Sequence, residues 1–247
     1  MELKGKTALI TGASGRLGSV IALRLAEAGC RCVCHYRNNR KKAEELARQI
    51  ERAGSNAIAL GAELTEPEQI EQLFEEASGF GTVHILVNCA AVFSRQKLDA
   101  LQFEDVQKIL AVNLTASIMT SRFFAKKLRE KYGQSDSILG KIINISDVGG
   151  VRPWAGYAAY CASKAGLIGA TKAIAKELAP SICVNSIAPG IISWPEDFDE
   201  EAKDKQLSLI PMKRIGTGQE IAAGVMFLLE SDYITGQVLC IDGGRSI

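Results

Sequence analysis

Lys6-Thr7-Ala8-Leu9-Ile10-Thr11-Gly12-Ala13-Ser14-Gly15-Arg16-Leu17-Gly18 is the stretch that decides the fold. Lys6 to Ile10 is a short apolar run, and an apolar-periodic segment follows the glycines to about Ala28-Gly29. Strand, glycine-rich turn and helix, in that order, form the setting in which such a turn binds a nucleotide. Glycines let the backbone approach a diphosphate, and the first turn of the helix attracts its charge. The spacing departs from G-x-G-x-x-G, so on this stretch alone a plain glycine-rich turn is the competing reading.

Strand and helix go on alternating outward from it. Arg31-Cys32-Val33-Cys34-His35-Tyr36 reads as the second strand, and a helix runs to about Ala53. Ala57 to Leu60 is a third strand, and Thr65 or Glu66 opens a helix with Pro67 at its first position. Val83 to Val87 is the fourth strand and ends in Asn88-Cys89-Ala90-Ala91. One long helix is expected over roughly Phe103 to Lys131, a strand over Gly140 to Ile145, and a buried helix from about Tyr157 to Leu178, closed by Ala179-Pro180. Ile182 to Ala188 is the sixth strand, turned by Pro189-Gly190. Trp194 to Leu209 is polar and acidic and reads as a loop or short helices. A helix from Gly218 or Gln219 to Leu229 and a strand from Gln237 to Ile241 complete the pattern. Alternation this regular predicts an α/β fold, one Rossmann-type domain over residues 1–247 with a doubly wound parallel sheet of about seven strands. Ligands in such sheets bind beyond the carboxyl ends of the strands. The Gly12 turn, Arg37, Asn88, Asp147 and Pro189-Gly190 should therefore collect on one edge.

Composition excludes several classes. With 247 residues, 47% of them hydrophobic, the chain can bury a large core, and a net charge of +1 gives no bulk field for nucleic acid or a membrane surface. Met1-Glu2-Leu3-Lys4-Gly5-Lys6 shows no apolar signal region, and no run approaches a membrane span, so the expectation is a soluble cytoplasmic protein. Seven Cys with no Cys-x-x-Cys pair, and only two His, make a metal site an unlikely use of either; buried free thiols are expected.

In dinucleotide folds an acidic residue about 20 positions beyond the glycines holds the ribose 2′-hydroxyl. Here that region offers His35, Tyr36, Arg37 and Asn38 instead, with Arg16 on the neighbouring turn. A cationic, hydrogen-bonding pocket suits a 2′-phosphate, which predicts NADPH over NADH. A solvated basic loop is the alternative, since Arg40-Lys41-Lys42 begins the next helix.

Tyr160-Cys161-Ala162-Ser163-Lys164 places a phenol and an ammonium four residues apart, on one helix face. A phenol ordinarily titrates near ~10, and a neighbouring cation is expected to lower it, giving an acid that protonates oxygen or nitrogen near neutral pH. Taken alone, Tyr-x-x-x-Lys reads as an exposed Tyr beside a Lys. Asn113, between Val112 and Leu114 in a predicted helix, has no apolar reason to be there, which points to a polar role in a site.

Thr11-Gly12 with Gly18, Asn88-x-Ala90, Asn113, Tyr160-x-x-x-Lys164, Pro189-Gly190 and Asp242-Gly243-Gly244 together resemble the short-chain dehydrogenase/reductase family over the whole chain. The resemblance implies a three-layer αβα fold and a homotetramer. It implies Tyr160 as proton donor, Lys164 as the group that lowers its pKa and clamps the nicotinamide ribose, and Asn113 as the holder of a water in a proton relay. Toward NADPH it assigns Gly12, Ser14, Arg16, Leu17 and Gly18 on the turn and Glu63 with Leu64 near the adenine. It adds Asn88 and Ala90 after the fourth strand, and Pro189, Gly190 and Ile192 after the sixth.

Two departures from the family are informative. Arg16 stands where Gly or Ala is usual, and Asp147 stands where a Ser usually lies thirteen residues before the Tyr. Both resemble the pteridine reductase branch, as do His35-Tyr36-Arg37, Phe93, Gly156-Tyr157-Ala158-Ala159-Tyr160 and Tyr233-Ile234-Thr235-Gly236. That branch implies an NADPH-dependent reductase of a dihydropterin or dihydrofolate-like ring, in which Tyr160 and Asp147 manage the proton. Phe93 would stack on the pterin, and Arg16, Asp147 and Tyr157 would complete its contacts. Phe93 in the core and Asp147 as a turn cap are the plain alternatives. A carbonyl reductase such as an oxoacyl-carrier-protein reductase is the second functional expectation, and a catalytically inactive NADPH-binding sensor the third.

Arg37→Asp should weaken NADPH binding far more than NADH binding, measured by fluorescence titration. Equal losses for the two cofactors would remove the basis of the NADPH preference.

Overall fold

A computed structural model of the chain describes residues 1–194 and 198–247. Part of the expected Trp194–Leu209 loop, Pro195 to Asp197, thus lies outside the described residues. Seven strands form one sheet: β1 (Thr7–Ile10), β2 (Arg31–Tyr36), β3 (Ala57–Gly61), β4 (Val83–Asn88), β5 (Gly140–Ile145), β6 (Ile182–Pro189) and β7 (Val238–Ile241). Their order is β3-β2-β1-β4-β5-β6-β7, and every pairing is parallel. The order reverses between β1 and β4, which opens a crevice at the carboxyl ends of the strands. The Gly12 turn, Arg37, Asn88, Asp147 and Gly190 all sit at that edge.

The period of two along each strand divides the core into two layers. Ala8, Ile10, Cys32, Cys34, Ile85, Val87 and Ile143 pack on one face, against α1 (Arg16–Glu27), α2 (Arg40–Arg52) and α8 (Gly218–Glu230). Leu9, Val33, Leu86, Ile142 and Val184 pack on the other, against α3 (Pro67–Phe80), α5 (Ala116–Tyr132) and α6 (Ala158–Leu178). The sheet is covered on both sides, which is why its strands read as near-continuous apolar runs. Cys30, Cys32 and Cys34 are buried free thiols, as their alternation predicts; Cys240 is exposed and departs from that expectation.

Two predicted helices differ in detail. The expected helix over Phe103 to Lys131 is three segments: α4 (Phe103–Leu110), a π turn (Ala111–Thr115) and α5. Asn113 sits in the π turn, an irregularity that apolar periodicity does not register. The polar stretch after Trp194 contains α7 (Glu200–Ser208), capped by Asp199, whose carboxylate accepts from the Ala202 N–H at 2.8 Å. α8 begins with a capping box in which the Thr217 hydroxyl and the Glu220 carboxylate each accept from the other's backbone N–H.

His35 corrects an expectation. Its ring is buried at the end of β2, outside any open basic pocket. Nδ1 accepts from the Gly12 N–H at 3.0 Å, and Nε2 lies 3.0 Å from the Ala62 carbonyl, so Nε2 carries the proton. Burial lowers its pKa from 6.5 to about 4. Between those values the unfolded chain takes up a proton that the folded chain refuses, so stability falls as pH drops. A denaturant series from pH 7 to pH 4 should show a loss of roughly 3 kcal/mol from this residue. His84, which burial also lowers to about 4, adds a like dependence, so His35→Asn should remove only the His35 share of the slope, and an unchanged slope would contradict the assignment.

Candidate active site

The glycine turn is built by close approach. Gly12 has φ +66, and a Cβ there would lie 2.8 Å from Ala90 Cα; at Gly18 it would lie 2.4 Å from the Gly12 carbonyl oxygen. Thr11 Oγ accepts from the Cys89 and Ala90 N–H groups at 2.9 and 3.1 Å, tying the end of β1 to the end of β4. α1 starts at Arg16 with no side-chain cap and no acid in its first turn. Its open N–H groups, with a cation where the helix dipole disfavours one, make a place that fits the diphosphate of a dinucleotide. Ser14 and Leu17 are half-buried on this turn.

Arg37 and Asn38 are exposed beyond β2, where a ribose phosphate would be reached. Arg37 Nε is 3.7 Å from a Glu63 carboxylate oxygen, so part of its charge is already faced by an acid. The Tyr36 ring lies against Gly61, where a Cβ would come within 2.9 Å of it. Leu64 is buried. Asn88 turns its side chain inward, donating to Asn144 Oδ1 at 2.9 Å and accepting from the Thr120 hydroxyl at 2.7 Å. Ala90 contributes the close backbone contact with Gly12. Across the crevice Gly190 is required because a Cβ would meet Asp242 Cα at 2.7 Å. Pro189 ends β6, and Ile192 lines the cleft beyond it.

Tyr160 and Asp147 meet. The phenol donates to Asp147 Oδ2 at 2.8 Å, and Oδ1 accepts from the Gly149 N–H at 2.6 Å. The turn cap and the site residue are therefore one side chain. The contact depends on Gly150, where a Cβ would lie 2.7 Å from the Lys164 backbone carbon; this brings the turn after β5 hard against α6. Lys164 is buried, donates to the Ile145 carbonyl at 2.9 Å, and stands 5.8 Å from the centre of the Tyr160 ring.

The electrostatics correct the reading of Tyr-x-x-x-Lys. Burial, and next the Asp147 carboxylate, push the Tyr160 phenol well above its ordinary pKa. A carboxylate that accepts the phenol's proton stabilises its neutral form directly, and Lys164 bonds a carbonyl instead of the phenol oxygen. Burial also raises the Asp147 carboxyl, against the Gly149 N–H, the Tyr160 hydroxyl, Lys164 and Arg245. Burial lowers the Lys164 ammonium, opposed by Asp147 and Cys89. Carboxyl, phenol and ammonium thus form one coupled set.

Asn113 is buried and its side chain is fully engaged. It accepts from the Val92 N–H at 2.8 Å and donates to the Val92 carbonyl at 2.9 Å and to Ser163 Oγ at 3.1 Å. Ser163 in turn donates to the Tyr160 carbonyl at 2.7 Å. The side chain thereby fixes the segment carrying Phe93 against the helix carrying Tyr160. Phe93 is 51% exposed, so it is not core. Its ring stacks on Tyr157 at 5.1 Å and meets Tyr160 edge-on at 4.8 Å.

These groups open into a cleft of about 990 Å³, lined on one side by Phe93, Tyr157, Tyr160 and Asp147 and on the other by Trp194, Phe198 and α7. Arg16, an exposed residue, also lines the cleft. Sequence reasoning missed Ser163, Arg95, Trp154, Trp194, Phe198 and Arg245. No local pattern marks them, although Arg245 directly follows the Asp242-Gly243-Gly244 already singled out. Among the described residues no cluster of potential ligands could hold a metal ion, and no helix is long and apolar enough to cross a membrane.

Comparison with known proteins places this geometry. The enoyl-(acyl carrier protein) reductase family profile matches residues 12–246. The 3beta-hydroxysteroid dehydrogenase 1 of Eggerthella lenta is 37% identical over 254 residues, covering all of this chain and 95% of its own. The 3-oxoacyl-(acyl-carrier-protein) reductase FabG of Staphylococcus epidermidis is 34% identical over 246 residues, covering 97% of this chain and 98% of its own. A double mutant of a short-chain dehydrogenase/reductase from Serratia marcescens has a structure that superposes with a TM-score of 0.90 at 34% identity, over the full length of both chains. The dinucleotide turn, the Tyr160–Lys164 helix and these full-length matches converge: the chain belongs to the short-chain dehydrogenase/reductase family and is an NAD(P)-dependent oxidoreductase.

Proposed function

We propose that this protein is an NADPH-dependent reductase of a C=N bond in a flat, polar heterocycle of the dihydropterin or dihydrofolate type. The observation that carries the reading is the 2.8 Å hydrogen bond between Tyr160 and Asp147 at the floor of the cleft. A dinucleotide held with its diphosphate at the glycine turn would supply the hydride from its reduced nicotinamide. The chain's residues have to deliver a proton to nitrogen. With a proton on Asp147, whose burial favours the neutral form, the carboxyl O–H donates to the Tyr160 oxygen and the phenol O–H is free to face the cleft. Tyr160 then gives its proton to the substrate nitrogen as carbon takes the hydride, and Asp147 reprotonates Tyr160. Lys164, buried beside the ring, stabilises negative charge on the phenol oxygen during the transfer. Phe93 offers an exposed aromatic face for stacking.

A second reading has its own support, and from the relatives it has the better support. Their names point to oxygen: a 3-oxoacyl thioester for one and a 3β-hydroxysteroid for the other. Carbonyl reduction by the same Tyr160 is compatible with the fold and with Arg95 and Lys205 at the cleft, which suit a phosphate-bearing carrier arm. Asp147 argues against it only when ionised, because a carboxylate opposes the oxyanion that develops on a carbonyl; carrying the proton described above, it would serve a carbonyl oxygen as well. Cytoplasmic location and a homotetramer are proposed on family resemblance.

NADPH oxidation, followed by absorbance, against dihydrobiopterin, dihydromonapterin, dihydrofolate, acetoacetyl thioester and a 3-oxosteroid separates the readings. Tyr160→Phe should lower kcat by about 10²-fold or more on any accepted substrate. Asp147→Ser should lower pterin turnover about as much and spare or improve the thioester. The pterin rate should fall as pH rises and Asp147 ionises, and Asp147→Asn should lose that limb. Wild-type activity confined to the thioester or steroid, or normal pterin turnover by Asp147→Ser, would transfer the assignment to the carbonyl reading.

A further inference from the structure

Arg245 is a buried cation that forms no hydrogen bond with Asp147 or Tyr160, although its charge acts on the Asp147 carboxyl. It is 8% exposed and lines the same cleft as Asp147 and Tyr160. Its Nη1 and Nη2 donate to the Gln206 carbonyl at 3.3 Å and to Gln206 Oε1 at 2.5 Å, both neutral acceptors. Its guanidinium carbon lies 5.8 Å from the centre of the Trp154 ring. Nε is buried without a partner among the described residues.

The acids nearby are occupied by other donors. Asp147 accepts from Gly149 and Tyr160. Asp242 accepts from the Gly244 N–H at 2.9 Å and from the Ser246 N–H at 2.7 Å. Among the described residues neither forms an ion pair with Arg245. Arg152 donates to the Arg245 and Ile247 carbonyls and brings a further positive charge instead of a neutralising one. Arg95 and Lys205 line the same cleft. A buried guanidinium with an unpaired Nε and no direct ion pair, drawn to Asp147 and Asp242 only through space, gains from an anion that completes it. Its planar fork suits a carboxylate or phosphate presented from the cleft.

We propose that Arg245 is a specificity-determining residue that binds an anionic arm of the substrate, a carboxylate or phosphate carried beyond the bond being reduced. The inference rests on reading the cleft as the substrate site, and it holds for a C=N or a C=O substrate. A plain structural role, locking the C-terminal turn to α7 through Gln206, is the competing account.

Matched substrates separate the two, with the enzyme assayed in the presence of NADPH. Dihydrofolate, with its carboxylate arm, is compared with dihydrobiopterin. Acetoacetyl-coenzyme A, with its phosphates, is compared with the uncharged acetoacetyl N-acetylcysteamine thioester. Arg245→Gln should lower kcat/KM for the anionic member of an accepted pair by about 10- to 100-fold, mostly through KM, and for the neutral member by less than about 3-fold. Arg245→Lys should recover part of the loss. Gln206→Ala removes the side-chain half of the lock, leaves the bond to the residue-206 carbonyl and keeps the charge, and should leave the preference for the anionic member in place. The pair affected identifies the arm as carboxylate or phosphate. Equal losses on both members, or loss of the preference in Gln206→Ala, would overturn the proposal in favour of the lock. Should wild type reduce neither pair, the pterin and thioester readings fail separately. Calorimetry of p-aminobenzoylglutamate and of inorganic phosphate with the enzyme–NADP⁺ complex then decides. Saturable binding of either that Arg245→Gln abolishes supports the anion site. Binding of neither, or binding unaltered by the substitution, overturns it.

Discussion

A carboxyl group and a phenol share a 2.8 Å hydrogen bond under a cleft, and much of the neighbouring structure serves to hold them there. Asp147 comes from the end of β5 and Tyr160 from the first turn of α6, so the bond exists only if the connection between them folds back tightly. The Gly149 N–H holds one carboxylate oxygen, and Gly150 lets the turn touch the helix backbone where a Cβ would collide. From the opposite side Asn113 ties the Val92 backbone to Ser163 on α6, and this sets Phe93 over the phenol. The π turn around Asn113 belongs to the same constraint, because it orients that side chain toward two neighbouring segments at once.

Burial governs the charges in this arrangement. Asp147, Tyr160 and Lys164 all lose solvation, which disfavours the charged form of each. Lys164 bonds a main-chain carbonyl at 2.9 Å and offsets little of the carboxylate's direct hold on the phenol. Titration is therefore a property of the set: a charge change on one member is felt by the other two across a few ångströms of low-dielectric interior. A Ser in place of Asp147 would leave Tyr160 with Lys164 as its only charged neighbour of the three, a different balance from the one seen here.

The cleft and the relatives bear on the substrate in different ways. The relatives are named for a 3-oxoacyl-(acyl-carrier-protein) and a 3beta-hydroxysteroid, and they match over nearly the full length of both chains. The cleft combines aromatic faces from Phe93, Tyr157 and Trp154 with the cations Arg16, Arg95, Lys205 and Arg245. An uncharged, wholly apolar ligand would leave the buried Arg245 without an anionic partner as it excluded water from the cleft. A flat ring, or a thioester, with polar and anionic groups uses both halves of the lining.

The sequence by itself determined the parallel sheet, the glycine turn and the pairing of Tyr160 with Lys164 on one helix face. Those features are local: a period of two in strands, glycines at a turn, and four-residue spacing along a helix. It also singled out Asp147 and Phe93 by comparison with the family's usual residues. What only the tertiary structure decided was partnership. His35 turned inward to the Gly12 N–H, Asn88 to a buried amide pair, and Asn113 to the Val92 backbone. Tyr160 found a carboxylate thirteen residues away before it found its ammonium neighbour. Arg245 entered the cleft from the far end of the chain. Hydrogen-bond partners and desolvation depend on which segments the fold brings within about 3 Å, and residue spacing along one chain carries no record of that distance.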